Sequence, residues 1–196
     1  VDAEAAAFYQ ARADLLTPIA KAWCTEAALE TTSHGIQIHG GMGYVEETGI
    51  AQFYRDARIA PIYEGTNAIQ AIDLVGRKLL RDGGATVSAF VSDMREVDAP
   101  LANAGDDLAV VRNALARGLD ELVLCSTGIL SGEKRDPELV SAVAFDYMML
   151  MGTVTHDQGH LEDVDRVEPQ ALAVERRLLV DVAGRDVQVE GGDDLR

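Results

Sequence analysis

Apolar residues recur at helical spacing along most of the chain, and this pattern predicts an all-α fold. The first helical pattern covers residues 2–32 and is rich in alanine. Apolar side chains spaced by four residues share one face of it: Leu15, Ile19, Trp23 and Ala27. We expect this face to be buried. Pro18 interrupts the pattern and predicts either a kink or the first turn of a second helix, with Thr17 as its cap.

A clean amphipathic helix is predicted over residues 68–80, with Thr66 or Asn67 as its N-cap. Its apolar side consists of four residues, with Leu74 at the edge: Ile69, Ile72, Val75 and Leu79. Gly76 lies inside this helix, where glycine costs about 1 kcal/mol relative to alanine. We therefore expect that Gly76 allows close packing against a neighbouring helix. A shorter, charged helix is predicted before it, over residues 50–59.

Asp82, Gly83 and Gly84 break the helical pattern, and we place a domain boundary there. The predicted units are a helical bundle over residues 1–82 and a helical extension over residues 85–196. Helical patterns in the extension cover four stretches: about 85–98, 106–130, 137–160 and 166–184. Three methionines in the third stretch form a soft apolar patch, used for core packing or, alternatively, for a partner: Met148, Met149 and Met151.

Residues 37–70 hold most of the candidate chemistry. Gly40, Gly41 and Gly43 would close the first helix, because glycine tolerates positive φ. The same glycines would also let a phosphate group or a flat cofactor edge approach the backbone closely. The run lacks the strand-turn-helix setting of a dinucleotide fingerprint, so the residues alone leave both interpretations open.

Glu64 is the candidate acid–base residue. It lies between an apolar stretch, residues 59–63, and a turn at Gly65 and Thr66. Pro61 disfavours helical backbone at the residue before it, so we expect an extended approach. A carboxylate held among apolar groups is harder to ionise, and such a group suits a general base near neutral pH. The alternative is a structural glutamate near a helix start, where the helix dipole favours it.

The negative charge of the chain argues against two classes of partner, nucleic acids and anionic membranes. The formal net charge is −16, and such a surface repels nucleic-acid phosphates and anionic lipid. We therefore expect no nucleic-acid binding and no membrane binding. No apolar run approaches the roughly 18 residues of a membrane-spanning helix. The N-terminus has neither an initiator Met nor a basic leader, so we expect a fragment without a signal peptide.

The remaining reactive side chains predict no further site. Cys24 and Cys125 lie far apart on helical patterns, so we expect buried free thiols in a reducing cytoplasm. The four histidines show no set of metal ligands, so we expect no metal site. Arg55 and Asp56 form either a solvated face or a buried pair that fixes two segments.

Three motifs together resemble the C-terminal signature of the acyl-CoA dehydrogenase family, and they occur in the family's order. They are Gln-Ile-His-Gly-Gly-x-Gly-Tyr from Gln37, Tyr-Arg-Asp-Ala-Arg from Tyr54 and Ile-Tyr-Glu-Gly-Thr-Asn from Ile62. The resemblance implies the C-terminal helical bundle of that fold, without the family's N-terminal helical domain and central β domain. The later part of the chain resembles, more weakly, an extra helical domain of some long members, among them the 3-methylmercaptopropionyl-CoA dehydrogenases.

The resemblance also implies roles for individual residues. Glu64 would be the catalytic base that takes the α-proton of an acyl-CoA thioester, while the β-hydrogen leaves as hydride to FAD. Tyr63 and Gly65 would line the thioester pocket. Thr66, with Asn67 and Ala68 beside it, would contact FAD. The adenylate part of FAD, usually bound by a neighbouring subunit, would contact five residues: Gln37, Ile38, His39, Gly40 and Gly41.

The resemblance further implies electron-transfer flavoprotein as the electron acceptor and a homo-oligomeric enzyme. Three alternatives stay open. An acyl-CoA oxidase shares the fold and the base but passes electrons to oxygen. A DNA-associated flavoprotein relative uses a basic C-terminal domain, whereas the second half here is acidic. A non-catalytic assembly module is the third, because the chain without the missing domains would not complete a flavin site and would be inactive alone.

Overall fold

The computed structural model describes residues 2–103, 109–133 and 136–156. Within these ranges every regular element is helical, and this confirms the all-α prediction. The α-helices are, in chain order, α1 Ala3–Ile38, α2 Gly41–Tyr44, α3 Ile50–Arg58, α4 Asn67–Asp73, α5 Ala85–Arg95, α6 Asp98–Asn103, α7 Ala109–Gly132 and α8 Pro137–His156. A 3₁₀ turn, Glu46–Thr48, precedes α3, and a π-helical segment, Leu74–Leu80, continues α4. The helix predicted over 166–184 lies outside the described residues.

Helix α1 is longer and more continuous than the sequence pattern predicts. It runs through Pro18 without a break and ends at Ile38. The Thr17 hydroxyl donates to the Ala13 carbonyl at 2.7 Å inside the helix. A second helix starting at Pro18, with Thr17 as its cap, is therefore wrong. The predicted apolar face is confirmed by three buried members: Leu15, Ile19 and Trp23.

One hydrophobic core joins the helices on both sides of the break at residues 82–84. Side chains from α1, the π-helical segment, α5, α7 and α8 contribute to it, among them Leu15, Leu79, Phe90, Leu122 and Leu150. Each of these five is at most 3% exposed. The division into domains over 1–82 and 85–196 stays a prediction, and the two stretches share this core.

The break after the π-helical segment is built from the residues that predicted it. Gly83 and Gly84 have φ of 65° and 86°, values that glycine adopts without strain. Asp82 stabilises the start of α5 by accepting hydrogen bonds from the N–H groups of Gly84 (3.0 Å) and Thr86 (2.9 Å). Partial burial opposes ionisation of Asp82, but these bonds and one from the Thr86 hydroxyl outweigh it and lower the pKa of the carboxyl.

The buried face of α4 differs from the predicted one. Of the predicted apolar side, Ile69 and Ile72 are 55% and 50% exposed, whereas Val75 and Leu79 in the π-helical segment are buried. The buried face starts at the polar Asn67 and continues through Ala71 and Leu74, at spacings of four and three residues. A search for apolar periodicity misses this face, because its first member is an asparagine.

The sulfur-containing residues are placed partly as predicted. Cys125 is a buried free thiol, but Cys24 is exposed on α1, so its predicted burial is wrong. Met148 and Met151 are buried in the core, which confirms core packing for these two side chains. Tyr147 beside them is fully buried, and its hydroxyl lies 2.8 Å from the Ser126 hydroxyl. Burial raises the pKa of Tyr147, because the phenolate would lose its solvation.

The described ranges lack two kinds of feature. No helix there combines the length and the apolar character that crossing a bilayer requires. Nor do the same residues contain three or more His, Cys, Asp or Glu side chains placed to hold a metal ion.

Helix α8 approaches α1 closely at one glycine. A Cβ added to Gly152 would lie 2.8 Å from Cε3 of the Trp23 ring. We expect Gly152→Ala to lower the free energy of unfolding by about 1–3 kcal/mol, the usual effect of overpacking. Urea unfolding followed by the fluorescence of Trp23, the chain's single tryptophan, measures this change.

Gly76 provides the matched control for that substitution. A Cβ at Gly76 would meet no atom within 4 Å, so the close packing expected there is wrong. Gly76→Ala should unfold at the same or a higher urea concentration than the wild type, because alanine is favoured in helices by about 1 kcal/mol. Equal midpoints for Gly152→Ala and Gly76→Ala would show that the contact between α8 and α1 is not tight.

Candidate functional site

Glu64 lies in a short loop, residues 61–67, which we call the Glu64 turn. The Asn67 N–H donates to the Pro61 carbonyl at 3.0 Å and closes the loop. The approach to it, residues 59–62, is a turn rather than the extended segment that Pro61 predicts. At its end the Thr66 hydroxyl oxygen accepts from the backbone N–H three residues later, at 3.3 Å. Thr66 is therefore the N-cap of α4, one of the two predicted candidates.

The backbone of Glu64 is held in an unusual conformation. Its φ is 56°, and among the described residues it alone has a positive φ without being a glycine. Such a conformation costs of order 1–3 kcal/mol, and it persists where the surrounding structure enforces it, often at functional sites. The Glu64 side chain is exposed, so the described residues do not form the apolar enclosure that the sequence predicts. The carboxylate is instead presented outward on a fixed loop.

Helix α1 holds the Glu64 turn through polar side chains. The Lys21 ammonium donates to the Gly65 carbonyl and to the Asn67 side-chain oxygen, both at 2.8 Å. The Asn67 amide donates in turn to a Glu26 carboxylate oxygen at 2.8 Å and to the Thr25 hydroxyl at 3.0 Å. Asn67 is only 4% exposed. Its side chain therefore points into the protein. The predicted contact of Asn67 with a cofactor would have to be made by its backbone atoms.

The paired glycines at the end of α1 make the predicted helix stop. Gly40 has φ of 58°, and its N–H donates to the Gln37 carbonyl at 3.0 Å. A Cβ at Gly40 or at Gly41 would meet no atom within 4 Å, so the backbone there is open to an approaching group. The helix-stop interpretation is confirmed, and the cofactor-edge interpretation stays a prediction. Gln37, Ile38 and His39 are exposed beside these glycines, with Gln37 and Ile38 in the last turn of α1.

The predicted site residues form two groups that the chain does not bring together. Tyr63, Gly65, Thr66 and Ala68 are exposed around Glu64. Residues 37–41 lie at the far end of α1. From Lys21, which contacts the Glu64 turn, to Gln37 the helix rises about 24 Å, at 1.5 Å per residue. The two groups therefore lie too far apart to meet in one small pocket of this chain.

The charged helix α3 carries no buried pair. Arg55 donates to the Gln52 side-chain oxygen at 3.0 and 2.7 Å, and Asp56 accepts from the Gln52 amide at 2.6 Å. Both charged side chains are exposed. This confirms the solvated-face interpretation of Arg55 and Asp56, and the interpretation as a buried pair is wrong.

Many large apolar side chains are exposed around the two groups of site residues. Ile38 is 82% exposed, Tyr44 81% and Phe53 65%. Others in residues 38–72 are at least about half exposed: Met42, Ile59, Ile62, Tyr63, Ile69 and Ile72. Exposed apolar surface of this kind usually packs against another part of a protein or another chain. Residues 38–72 therefore present a surface suited to further protein contacts.

The residues that hold the Glu64 turn were not predicted from the sequence. Lys21, Thr25 and Glu26 lie more than forty positions before Asn67, and hydrogen bonds over that separation leave no local pattern. One signal was available. Glu26 comes three residues after Trp23 and seven after Ile19, so it falls on the apolar side of α1, an unusual place for a charge.

Comparison with known proteins supports the motif resemblance. Residues 3–80 match the family model described as "Acyl-CoA dehydrogenase, C-terminal domain". The chain is 48% identical over 158 residues to 3-methylmercaptopropionyl-CoA dehydrogenase of Ruegeria pomeroyi, a match that covers 77% of this chain and 26% of the relative. It is 34% identical over 127 residues to a broad-specificity linear acyl-CoA dehydrogenase of Mycobacterium tuberculosis, covering 63% of this chain and 20% of the relative.

A third relative matches the motif region alone. The mitochondrial short-chain specific acyl-CoA dehydrogenase of Sus scrofa is 51% identical over 61 residues, covering 31% of this chain and 15% of the relative. The chain thus spans about a quarter or less of the length of these curated relatives. Together, the matched family model and these relatives show that residues 3–80 are a C-terminal domain of the acyl-CoA dehydrogenase family.

Proposed function

We propose that this chain is the C-terminal part of an FAD-dependent acyl-CoA dehydrogenase, with Glu64 as its catalytic base. One observation carries this proposal. Glu64 has a left-handed backbone in a loop closed by hydrogen bonds, and its carboxylate is exposed. A glutamate at a helix start whose only role is a favourable interaction with the helix dipole needs no such strained backbone.

The reaction would begin with removal of the α-proton of the acyl thioester by the Glu64 carboxylate. This proton is weakly acidic, so the enolate oxygen must be stabilised by preorganised donors. The Glu64 N–H has no acceptor among the described residues, and it is free to donate to such an oxygen. Tyr63 and Gly65 flank Glu64 and would line the pocket for the thioester. The base and one oxyanion donor thus belong to one residue.

The described residues fit an FAD molecule at two places. At the end of α1, the backbone of Gly40 and Gly41 is open, since a Cβ at either would meet no atom within 4 Å. With Gln37, Ile38 and His39 these glycines would hold the adenylate part. At the start of α4, Thr66 and Ala68 are exposed beside Glu64, and with the backbone of Asn67 they would contact the reacting end. Bound FAD would supply the two-electron acceptor for the β-hydride.

The separation of these two places supports a homo-oligomer. They lie about 24 Å apart along α1. In the proposed assembly, residues 37–41 contact FAD that is bound mainly by a second copy. The exposed apolar side chains of residues 38–72 would be covered by that copy and by the remaining parts of the enzyme.

Further partners and the setting follow from the same proposal. Electron-transfer flavoprotein would take the electrons from the reduced cofactor. The relative with 48% identity is named for 3-methylmercaptopropionyl-CoA, so we propose a short acyl-CoA of this kind as the substrate class. A cytoplasmic location is supported by the two free thiols, Cys24 and Cys125, which are usual in a reducing compartment.

An anaerobic titration tests the proposal. The full-length protein containing this sequence is purified with its flavin and titrated with a panel of acyl-CoAs, including 3-methylmercaptopropionyl-CoA. Loss of the oxidised-flavin absorbance with one substrate class supports the proposed reaction. Hydrogen peroxide release under air would instead identify an oxidase. Bound flavin that no acyl-CoA reduces would contradict the proposal and favour a non-metabolic relative.

A further inference from the structure

We infer that Lys21 and Asn67 are positioning residues for the proposed reaction, because together they hold Glu64 in its strained backbone conformation. This inference rests on the proposed function of Glu64. It assigns a role to a lysine on α1 that lies outside the three sequence motifs. It also gives the Asn67 side chain a structural task instead of a cofactor contact.

The contacts of Asn67 are complete and mutually consistent. Its side-chain oxygen accepts from Lys21 at 2.8 Å. Its amide donates to Glu26 and Thr25 at 2.8 and 3.0 Å, and the Thr25 hydroxyl is then free to donate to the Ala22 carbonyl at 3.0 Å. A side chain that is 4% exposed and has every donor used fixes the position of its own backbone. The end of the Glu64 turn is therefore fixed to α1.

Lys21 also fixes Gly65, the residue that follows Glu64. Its ammonium donates to the Gly65 carbonyl at 2.8 Å, a charge-assisted hydrogen bond. Gly65 has φ of 85°, and the Glu64 carbonyl accepts a longer bond from the Gln70 amide at 3.4 Å. The carbonyl groups of Glu64 and Gly65 thus both accept a hydrogen bond, and the shorter one comes from Lys21. Without it, the turn would be free to relax toward negative φ at Glu64.

Helix α1 is a suitable support for this arrangement. Leu15, Ile19 and Trp23 bury one side of the same helix in the core. Lys21 lies within this stretch, and Thr25 and Glu26 follow within one turn after Trp23, so all three belong to the part of α1 that packs on the core. The position of the Glu64 carboxylate is therefore set by contacts with a helix that packs on the core, and not by its exposed loop alone.

Lys21→Met tests the inference in the full-length, flavin-containing protein. Methionine keeps much of the side-chain length but has no donor. We expect the rate constant of flavin reduction at saturating acyl-CoA to fall about 10- to 100-fold, because small misplacements of a reacting group have effects of this size. The substrate dissociation constant and the flavin content should stay within about threefold. Hydrogen exchange of a peptide covering residues 61–67 should become faster.

The matched control is Lys78→Met. Lys78 is also a helical lysine beside a carboxylate, with its ammonium 3.9 Å from Asp14 Oδ2, and it makes no contact with the Glu64 turn. This variant should match the wild type in both flavin reduction and hydrogen exchange of residues 61–67. Equal reduction rates for Lys21→Met and Lys78→Met would overturn the inference.

Asn67→Ser distinguishes a positioning effect of the hydrogen-bond network from an effect of the Lys21 charge. It removes contacts of the network without changing any charge, and we expect the same loss of reduction rate as in Lys21→Met. If only Lys21→Met is slow, Lys21 acts through its charge and the positioning role is wrong. Unchanged hydrogen exchange of residues 61–67 in both variants would also overturn it. A wild type that no acyl-CoA reduces would contradict the proposed function instead, and the exchange experiment would still decide on the contacts.

Discussion

Replacing Glu64 with glutamine in the full-length enzyme is expected to abolish reduction of the flavin by acyl-CoA, while FAD stays bound. Glutamine keeps the size of the side chain and its place in the turn, but it does not accept the α-proton. A positioned general base contributes about 10²- to 10⁴-fold to the rate, so the loss should be at least of this size. Anaerobic stopped-flow absorbance measures the rate, and the absorbance ratio of flavin to protein measures bound FAD.

Glu47→Gln is the control for this substitution. Glu47 lies exposed in the 3₁₀ turn before α3, and the same chemical change there should leave flavin reduction unaffected. Glu64→Gly adds a second comparison, because glycine adopts φ of 56° without strain. This variant should be inactive but at least as stable as the wild type. Normal reduction in Glu64→Gln would place the base elsewhere and leave Glu64 as a residue of the turn.

Gly43→Ala is expected to disrupt the turn that follows α1. A Cβ at Gly43 would lie 2.2 Å from the Ile36 carbonyl oxygen and 3.0 Å from the His39 Cβ. The closest of these atoms is backbone, so the contact is not relieved by a side-chain rotation. We expect a loss of about 1–3 kcal/mol in unfolding free energy, as for other overpacked sites. Thermal or urea unfolding of the full-length protein measures it.

Gly41→Ala tests the same turn from its open side. A Cβ there would meet no atom within 4 Å, so unfolding should change by less than about 0.5 kcal/mol. If FAD of a second copy rests on this backbone, the added methyl group should weaken FAD binding without loss of stability. The pair of variants thus separates the structural glycine from the proposed binding glycine. Equal unfolding of Gly43→Ala and Gly41→Ala would contradict the close approach.

The sequence predicted the helical elements well, because apolar periodicity is a local property of the chain. The stop at Gly40 and the break at Gly83 and Gly84 follow from glycine backbone preferences, and both are present. The buried face of α4 was predicted wrongly, since it begins with the polar Asn67, whose burial depends on partners on α1. The exposure of Cys24 likewise depends on which face of α1 is covered.

For the candidate site, the sequence predicted the motif residues but not the conformation in which they are held. The order of the three motifs points to Glu64, Gly65 and Thr66, and the structure places these residues together in one turn. The left-handed backbone of Glu64 was not predictable, because glutamate rarely adopts it and no neighbouring residue demands it. That conformation depends on contacts with Lys21, 44 positions before Gly65. Such contacts arise only once α1 and the turn are packed on one core.

The contact between α8 and α1 limits how this region is recombined with other proteins. Trp23 lies against Gly152 on one side of α1, and Lys21 holds the Glu64 turn from the same stretch of helix. A chimaera that joins residues 1–82 to the extension of another family member would keep every motif residue and still lose the surface on which α1 rests. Exchange of the extension, in evolution or by engineering, therefore requires compensating substitutions along the buried face of α1.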